Sequence, residues 1–194
     1  MTSLGLGSLL FIGAAVVLLV YVVMTYNNLV GLKHAVAKAW ANIDVLLKQR
    51  HDELPKLVET CKQYKDFEQG TLQRVIEARA GVQSARERQD IPALGEAEGA
   101  LRSGLGRLFA LAEAYPDLKA NENFMALQTR ISQLENAIAD RREFYNESAN
   151  INNVRVEQFP DLIVARLLNF GAKPLLEFSS AEKADVDLKS LFKG

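Results

Sequence analysis

The residues of this sequence that could carry chemistry are two histidines and one cysteine: His34, His51 and Cys61. Metal binding and nucleophilic catalysis both need such side chains close together in space. On one helix the two histidines would be about 25 Å apart, and Cys61 would lie roughly 15 Å from His51. This spacing excludes a metal site shared by the two histidines and argues against a thiol–imidazole pair.

Sequence motifs of the common enzyme classes are missing as well. The glycine pairs Gly5/Gly7 and Gly104/Gly106 lack the strand–loop–helix context of a phosphate-binding loop. The sequence has neither an HExxH zinc motif nor the nucleophile elbow of hydrolases. We therefore expect a protein that is not an enzyme and has no metal or cofactor.

Three arginines occupy apolar positions, each on a different predicted helix: Arg50, Arg79 and Arg141. Burying an unpaired guanidinium is costly, so we expect carboxylate partners, with Glu98 and Asp44 as candidates. These five residues form a predicted buried polar layer that sets the register of the helices. Snorkelling of the arginine stems and a functional charge cluster are the alternatives.

Charged residues are distributed unevenly along the 194-residue chain. All 23 Lys+Arg and 24 Asp+Glu residues follow Leu32, so the N-terminal segment is neutral. This pattern is typical of a membrane anchor joined to a charged body. The net charge of −1 provides no large basic field, which argues against nucleic-acid binding.

The segment from Leu4 to Met24 has 21 residues, of which all but three glycines and one serine are apolar. As a helix it would be about 31 Å long, enough to cross a hydrocarbon core of about 30 Å. A cleaved signal peptide would need a basic N-terminal region, which is missing. We therefore predict a transmembrane anchor at 1–25 that contacts the lipid bilayer through residues 4–24.

The rest of the chain has the pattern of long amphipathic helices. Apolar residues follow one another in steps of three and four, which is the spacing of one helical face. We expect the first helix to continue from the anchor to about Glu68, and Asp90 and Asn121 to cap later helices. Lys33 and Lys38, just beyond the anchor, place the N-terminus outside and the body in the cytoplasm.

Short predicted turns between these helices indicate how they pack. The predicted fold is all-α, with the N-terminal transmembrane helix continuous with a long helix of an antiparallel four-helix bundle. The bundle domain is predicted at 26–178, and a flexible C-terminal tail at 179–194.

Predicted helix lengths indicate where partners bind. A fourth helix of about 32 residues would end about 25 Å from the membrane and leave part of the first helix uncovered. The segment from Phe159 to Phe170 is more apolar than a surface connector. It can fold back on the first helix, pack on a neighbouring subunit or lie in the membrane interface. The predicted interface residues are Val36, Trp40, Ile43, Phe159, Leu162, Ile163, Leu167 and Phe170.

Several motifs resemble those of a known family. The most specific is the run Tyr115-Pro116-Asp117-Leu118-Lys119-Ala120-Asn121, and others include Trp40-x-x-Ile43-Asp44-Val45, Leu134-Glu135-Asn136 and Tyr145-Asn146. Together they resemble the LemA family of bacterial membrane-anchored helical proteins over roughly residues 20–178. The resemblance implies a single-pass protein of the bacterial inner membrane and a cytoplasmic four-helix bundle with no established enzymatic activity. It also implies relatives linked to membrane-organelle formation and to membrane proteases.

From these features we expect a membrane-anchored structural protein that self-associates into a homo-oligomeric scaffold organising or shaping the membrane. Lateral association of identical subunits can generate rings or curved arrays. The alternative is an adaptor that presents its helical bundle to a membrane protease or sensor, with a membrane protein as partner.

Overall fold

The structure is a computed structural model that describes residues 5–64 and 67–177. Within them, 85% of the residues are helical and no strand occurs, which confirms an all-α fold. The predicted tail at 179–194 and the first four residues of the predicted anchor lie outside the described residues. The helices are α1 (Leu6–Lys62), α2 (Gln69–Glu87), α3 (Ile91–Ala112), α4 (Pro116–Lys119), α5 (Glu122–Glu157) and α6 (Asp161–Leu167).

α1 is 57 residues long and contains, near the N-terminus, a stretch that is long and apolar enough to cross a membrane. None of this stretch is buried within the chain. α1 continues through Pro55 and ends at Lys62, before the predicted end at Glu68. Beyond this end, Phe67 is buried and its ring lies against that of Tyr115, with centroids 5.3 Å apart.

Side-chain caps start two helices where the sequence predicts them. Asp90 accepts a hydrogen bond from the backbone N–H of Ala93 at 3.1 Å and caps α3. Asn121 accepts one from the backbone N–H of Phe124 at 3.0 Å and caps α5. Each bond satisfies a backbone donor that the first turn of a helix leaves without a partner.

The described residues form two compact units, and α1 and α5 contribute residues to both. Unit 1 comprises the described residues of Met1–Ala41 and Phe144–Lys173. Unit 2 comprises those of Asn42–Glu143 and Pro174–Gly194, and α2 packs against α3 within it. One core cluster of unit 1 contains Leu29, Val156, Val164 and Ala165.

Close packing explains one glycine of α3. A Cβ atom at Gly95 would lie 2.0 Å from the carbonyl oxygen of Glu177, closer than non-bonded atoms can approach. Gly106 on the same helix faces open space. Because Gly95 has no side chain, the backbone at Glu177 can lie directly on α3.

Candidate interaction site beside the apolar helix

A buried carboxylate joins α6 to α1 and α5. Asp161, at the first position of α6, accepts hydrogen bonds from Tyr21 Oη at 2.5 Å and from Thr25 Oγ1 at 3.2 Å. Its second oxygen forms an ion pair with Arg155 Nε at 2.5 Å. Because Tyr21 and Thr25 lie where the apolar stretch of α1 ends, this contact fixes α6 at that level of the helix.

The segment from Phe159 to Phe170 folds back on α1 with one of its sides. Val164 and Ala165 are buried together with Leu29 of α1. The ring of Phe170 meets that of Tyr26 edge to face, with centroids 6.0 Å apart. Leu162 and Phe170 are half-buried. Folding back on its own helix is the first of the three arrangements that the sequence left open.

The other side of this segment is exposed. Ile163 and Leu167 lie about one turn apart on α6, and Phe159 precedes the helix by two residues; their exposed fractions are 52%, 78% and 75%. We call these three residues the α6 outer face. Several large exposed apolar side chains on one short segment are typical of sites that contact a protein or a membrane.

The α1 residues of the predicted interface are covered by the chain itself. Val36 and Ile43 are buried, and the half-buried ring of Trp40 meets Tyr145 of α5 with centroids 5.9 Å apart. These three residues therefore do not form an exposed interface, which corrects the prediction. The physical reason is that α5 packs along α1 at this level: Tyr145 lies against Trp40, and Val156 further along α5 packs with Leu29.

A cleft of about 560 Å³ opens beside α6 within unit 1. α1 contributes Tyr26, Val30, Lys33 and His34, and α5 contributes Asn152. The chain at and after the end of α6 supplies the remaining lining residues: Leu168, Asn169, Phe170, Gly171 and Lys173. The lining thus combines cationic, amide and apolar side chains.

Two asparagines of α5 hold the chain that follows α6. The buried Asn152 donates through Nδ2 to the carbonyl of Gly171 at 3.2 Å. Asn153 accepts from the backbone N–H of Lys173 at 2.6 Å and donates to its carbonyl at 2.8 Å. The sequence shows that this part of α5 is rich in asparagine. It does not show what Asn152 and Asn153 bind, because these partners are backbone atoms.

The buried charges of unit 2 form a second cluster. Arg50 and Glu98 are 1% and 2% exposed and form an ion pair, and Arg50 Nη1 donates to Glu135 Oε1 at 2.5 Å. Burial alone would lower the pKa of Arg50, but the two carboxylates outweigh it and raise that pKa above its ordinary value. Sequence reasoning missed Glu135, although it lies four residues after Ile131 and three before Ile138.

Two other members of the predicted polar layer have different partners. Asp44 accepts two hydrogen bonds from Arg86, at 2.5 Å from Nε and 3.1 Å from Nη2. Arg79 donates to the carbonyl of His51 at 3.0 Å, and its Nη2 lies 2.6 Å from His51 Nε2. The observed partner of Arg79 is therefore a histidine and not a carboxylate.

Arg141 does not belong to a buried layer, since its side chain is exposed on α5. Of the two arginines between the buried residues Ile138 and Tyr145, Arg142 is the half-buried one. Arg142 lies four residues after Ile138 and three before Tyr145, and Arg141 lies three after and four before. Either arginine therefore fits the helical spacing. The sequence pattern alone does not separate them.

The environments of His51 and Cys61 do not favour catalysis. Burial and the nearby guanidinium of Arg79 lower the pKa of His51 below its ordinary value. Burial raises the pKa of Cys61 to about 12, so the thiol stays protonated at neutral pH. Among the residues that the structure describes, no group of three His, Cys, Asp or Glu side chains is placed to hold a metal ion.

Comparison with known proteins connects this structure to a family. The sequence model of the LemA family matches residues 39–189, more than three quarters of the chain. This chain belongs to the LemA family. Protein LemA of Metamycoplasma hominis is 28% identical over 165 residues, covering 85% of this chain and 74% of that protein. The resemblance inferred from the sequence motifs is confirmed.

More distant similarity connects this LemA-family chain to magnetosome proteins. The magnetosome proteins MamQ 1 and MamQ 2 of Paramagnetospirillum magneticum are each 29% identical to it over 100 residues. That match covers 52% of this chain but 37% of each magnetosome protein. The α6 outer face and the Arg50–Glu98–Glu135 cluster both lie within the region that the LemA family model matches.

Proposed function

We propose that this LemA-family chain is a membrane-anchored, non-enzymatic structural protein that self-associates into a homo-oligomeric scaffold organising or shaping the bacterial inner membrane. The observation that carries the proposal is the exposed α6 outer face, Phe159, Ile163 and Leu167. Fully burying one large apolar side chain contributes about 1.5–3 kcal/mol. Three such side chains therefore provide a substantial driving force for association.

A second copy of the chain is the partner that fits this face. Asp161 binds Tyr21 and Thr25 at the end of the apolar stretch, so the α6 outer face lies near the surface of the membrane that the anchor spans. All copies inserted with one topology carry the face at the same height. Confinement to a plane raises their effective concentration, and lateral contacts that close generate discrete rings of subunits.

The continuity of α1 and the short connections between later helices support this proposal. α1 runs without interruption from the apolar stretch to Lys62, which couples any contact of the body to the membrane. Short connections between the later helices favour an antiparallel four-helix bundle. Lys33 and Lys38 favour an outside N-terminus and a cytoplasmic body.

The test is the mass of the full-length protein in mild detergent and in nanodiscs, measured by mass photometry and negative-stain imaging. We expect a discrete large assembly that is lost in the variant Phe159→Ser/Ile163→Ser/Leu167→Ser. The matched control replaces three exposed apolar residues of unit 2 and keeps the assembly: Val45→Ser, Ile76→Ser and Met125→Ser. A monomer in both media would contradict the proposal.

An adaptor for a membrane protease or sensor is the second candidate. Ile151 and Val154 on α5 are exposed, which offers a different membrane protein a surface separate from α6. A monomeric chain that co-purifies with a stoichiometric membrane protein, and loses it in the variant Ile151→Ser/Val154→Ser, would favour the adaptor over the scaffold.

A further inference from the structure

The cleft beside α6 carries an excess of positive charge. Lys33 lines it from α1, Lys173 lines it from the chain after α6, and His34 adds an imidazole. Among the described residues, no carboxylate lines the cleft. An anion in the cleft would therefore meet two ammonium groups without a competing negative charge.

The chain that carries Lys173 is fixed by hydrogen bonds. The backbone N–H of Phe170 donates to the carbonyl of Ala165 at 2.9 Å, with Asn169 between them at a φ of 62°. Asparagine is one of the few residues that readily adopts this left-handed backbone, which commonly ends helices. Asn153 then binds both backbone groups of Lys173. Because this wall is already ordered, a ligand would lose little affinity to ordering it.

The cleft begins where the apolar stretch ends. Tyr26 follows Met24, the last residue of that stretch, by two positions, and Lys33 follows it by nine, roughly 14 Å along the helix. Helical side chains lean toward the N-terminus of their helix, which here is the direction of the membrane. The headgroup layer is about 5–7 Å thick on each side of the hydrocarbon core. The cleft therefore starts at the level of the headgroups with Tyr26, and Lys33 extends its ammonium toward that level from farther along the helix.

The lining suits an amphiphile better than a small soluble anion. Val30, Leu168 and Phe170 give the cleft an apolar part beside its cations. A phospholipid can place its glycerol and first acyl carbons against such residues, whereas free phosphate has no apolar group. The volume of about 560 Å³ is also far larger than a phosphate ion and falls in the range of small-molecule sites.

We propose that the cleft binds the phosphate headgroup of an anionic phospholipid, with Lys33 and Lys173 as the cations that contact the phosphate. The inference rests on the membrane anchoring in the proposed function but not on self-association. A bound lipid would hold α1 and the chain after α6 to the same leaflet.

The test is lipid binding by the full-length protein, stripped of lipid in detergent and titrated with phosphatidylglycerol under native mass spectrometry. Lys33→Gln/Lys173→Gln removes both cleft cations and keeps the backbone bonds of residue 173. The matched control Lys38→Gln/Arg166→Gln removes two exposed cations of unit 1 that do not line the cleft. We expect about tenfold weaker binding for the cleft variant and less than about threefold for the control. Equal losses in both variants would overturn the proposal.

Two further titrations identify the source of the phosphate. Phosphatidylcholine, which has no net charge, should bind the wild-type protein about tenfold more weakly than phosphatidylglycerol. Equal binding of the two lipids would overturn the proposal. Millimolar glycerol phosphate should leave phosphatidylglycerol bound. Displacement by this soluble compound would overturn the assignment to a lipid.

Flotation with phosphatidylcholine vesicles separates this inference from the proposed function. A chain that floats but does not prefer phosphatidylglycerol contradicts the lipid site alone. A chain that does not float contradicts the anchoring and the lipid site together. The oligomer mass in the same spectra tests self-association independently of the number of bound lipids.

Discussion

In unit 2, the charged side chains of Arg50 and Glu98 are buried as a pair, whereas in unit 1 the apolar side chains of Phe159, Ile163 and Leu167 are exposed. Soluble domains usually bury large apolar residues and leave charges at the surface. Unit 2 departs from this rule inside its own core, where each charge has a partner. Unit 1 departs from it on its surface, as the proposed contact with a second copy requires.

The largest expected effect is the loss of the buried cation in unit 2. Arg50→Met leaves Glu98 buried without its ion pair, so we expect the free energy of unfolding to fall by about 3–5 kcal/mol. Urea unfolding of the full-length protein in detergent measures this. The control Arg102→Met changes a partly exposed cation 3.9 Å from Glu135 and should cost less than about 1 kcal/mol. If both variants lost a similarly small unfolding free energy, the buried ion pair of unit 2 would be no more important for stability than a partly exposed one.

A smaller effect is expected when the buried carboxylate of unit 1 is neutralised. Asp161→Asn weakens the contacts with Tyr21, Thr25 and Arg155, so opening of α6 should become easier by about 1.5–3 kcal/mol. Hydrogen exchange of the α6 amides measures this opening. Asp140→Asn, at an exposed position of α5, is the control. Unchanged exchange in the Asp161 variant would mean that the apolar core alone holds α6.

The packing of unit 2 is tested by a pair of glycine variants on α3. Gly95→Ala places a methyl group against the Glu177 carbonyl, and we expect a loss of about 1–3 kcal/mol in unfolding free energy. Gly106→Ala meets open space and should stabilise the helix by up to about 1 kcal/mol. Thermal unfolding followed by circular dichroism distinguishes them. Equal stabilisation by both variants would show that the contact at residue 95 does not form.

The smallest expected effect is a pH dependence of unit 2. Burial and Arg79 lower the pKa of His51 in the folded protein, so the unfolded chain binds its proton more readily. The stabilising contribution is therefore present above the ordinary histidine pKa of about 6.5 and is lost as the pH falls. His51→Gln should flatten the decline in stability between about pH 7 and 5. An unchanged decline in this variant would contradict the prediction.

The sequence predicted features that depend on local spacing. The helical period of the apolar residues indicated the all-α fold, and the short polar side chains of Asp90 and Asn121 marked the helix starts that the structure has. The motif from Tyr115 to Asn121 indicated the LemA family. The period also selected Arg50 and Glu98, because both occupy apolar positions of their helices.

Features that depend on contacts between distant residues could not be predicted in the same way. The choice between Arg141 and Arg142 depends on a small rotation of α5 that a pattern with steps of three and four does not resolve. Asn152 and Asn153 bind backbone atoms after α6, which no residue type encodes. Trp40 is covered because Tyr145 of α5 packs against it, a contact between residues far apart in the sequence.

The central claim is that the exposed apolar surface of unit 1 contacts a second copy. Disulfide cross-linking in native membranes tests this claim most directly. Cys61→Ala removes the one native thiol, and a single cysteine is then introduced by Ile163→Cys on the α6 outer face or by Met125→Cys in unit 2. Mild oxidation should give a cross-linked dimer for the variant at position 163 and monomers for the variant at position 125. Monomers in both variants, or equal dimer yields, would contradict the account.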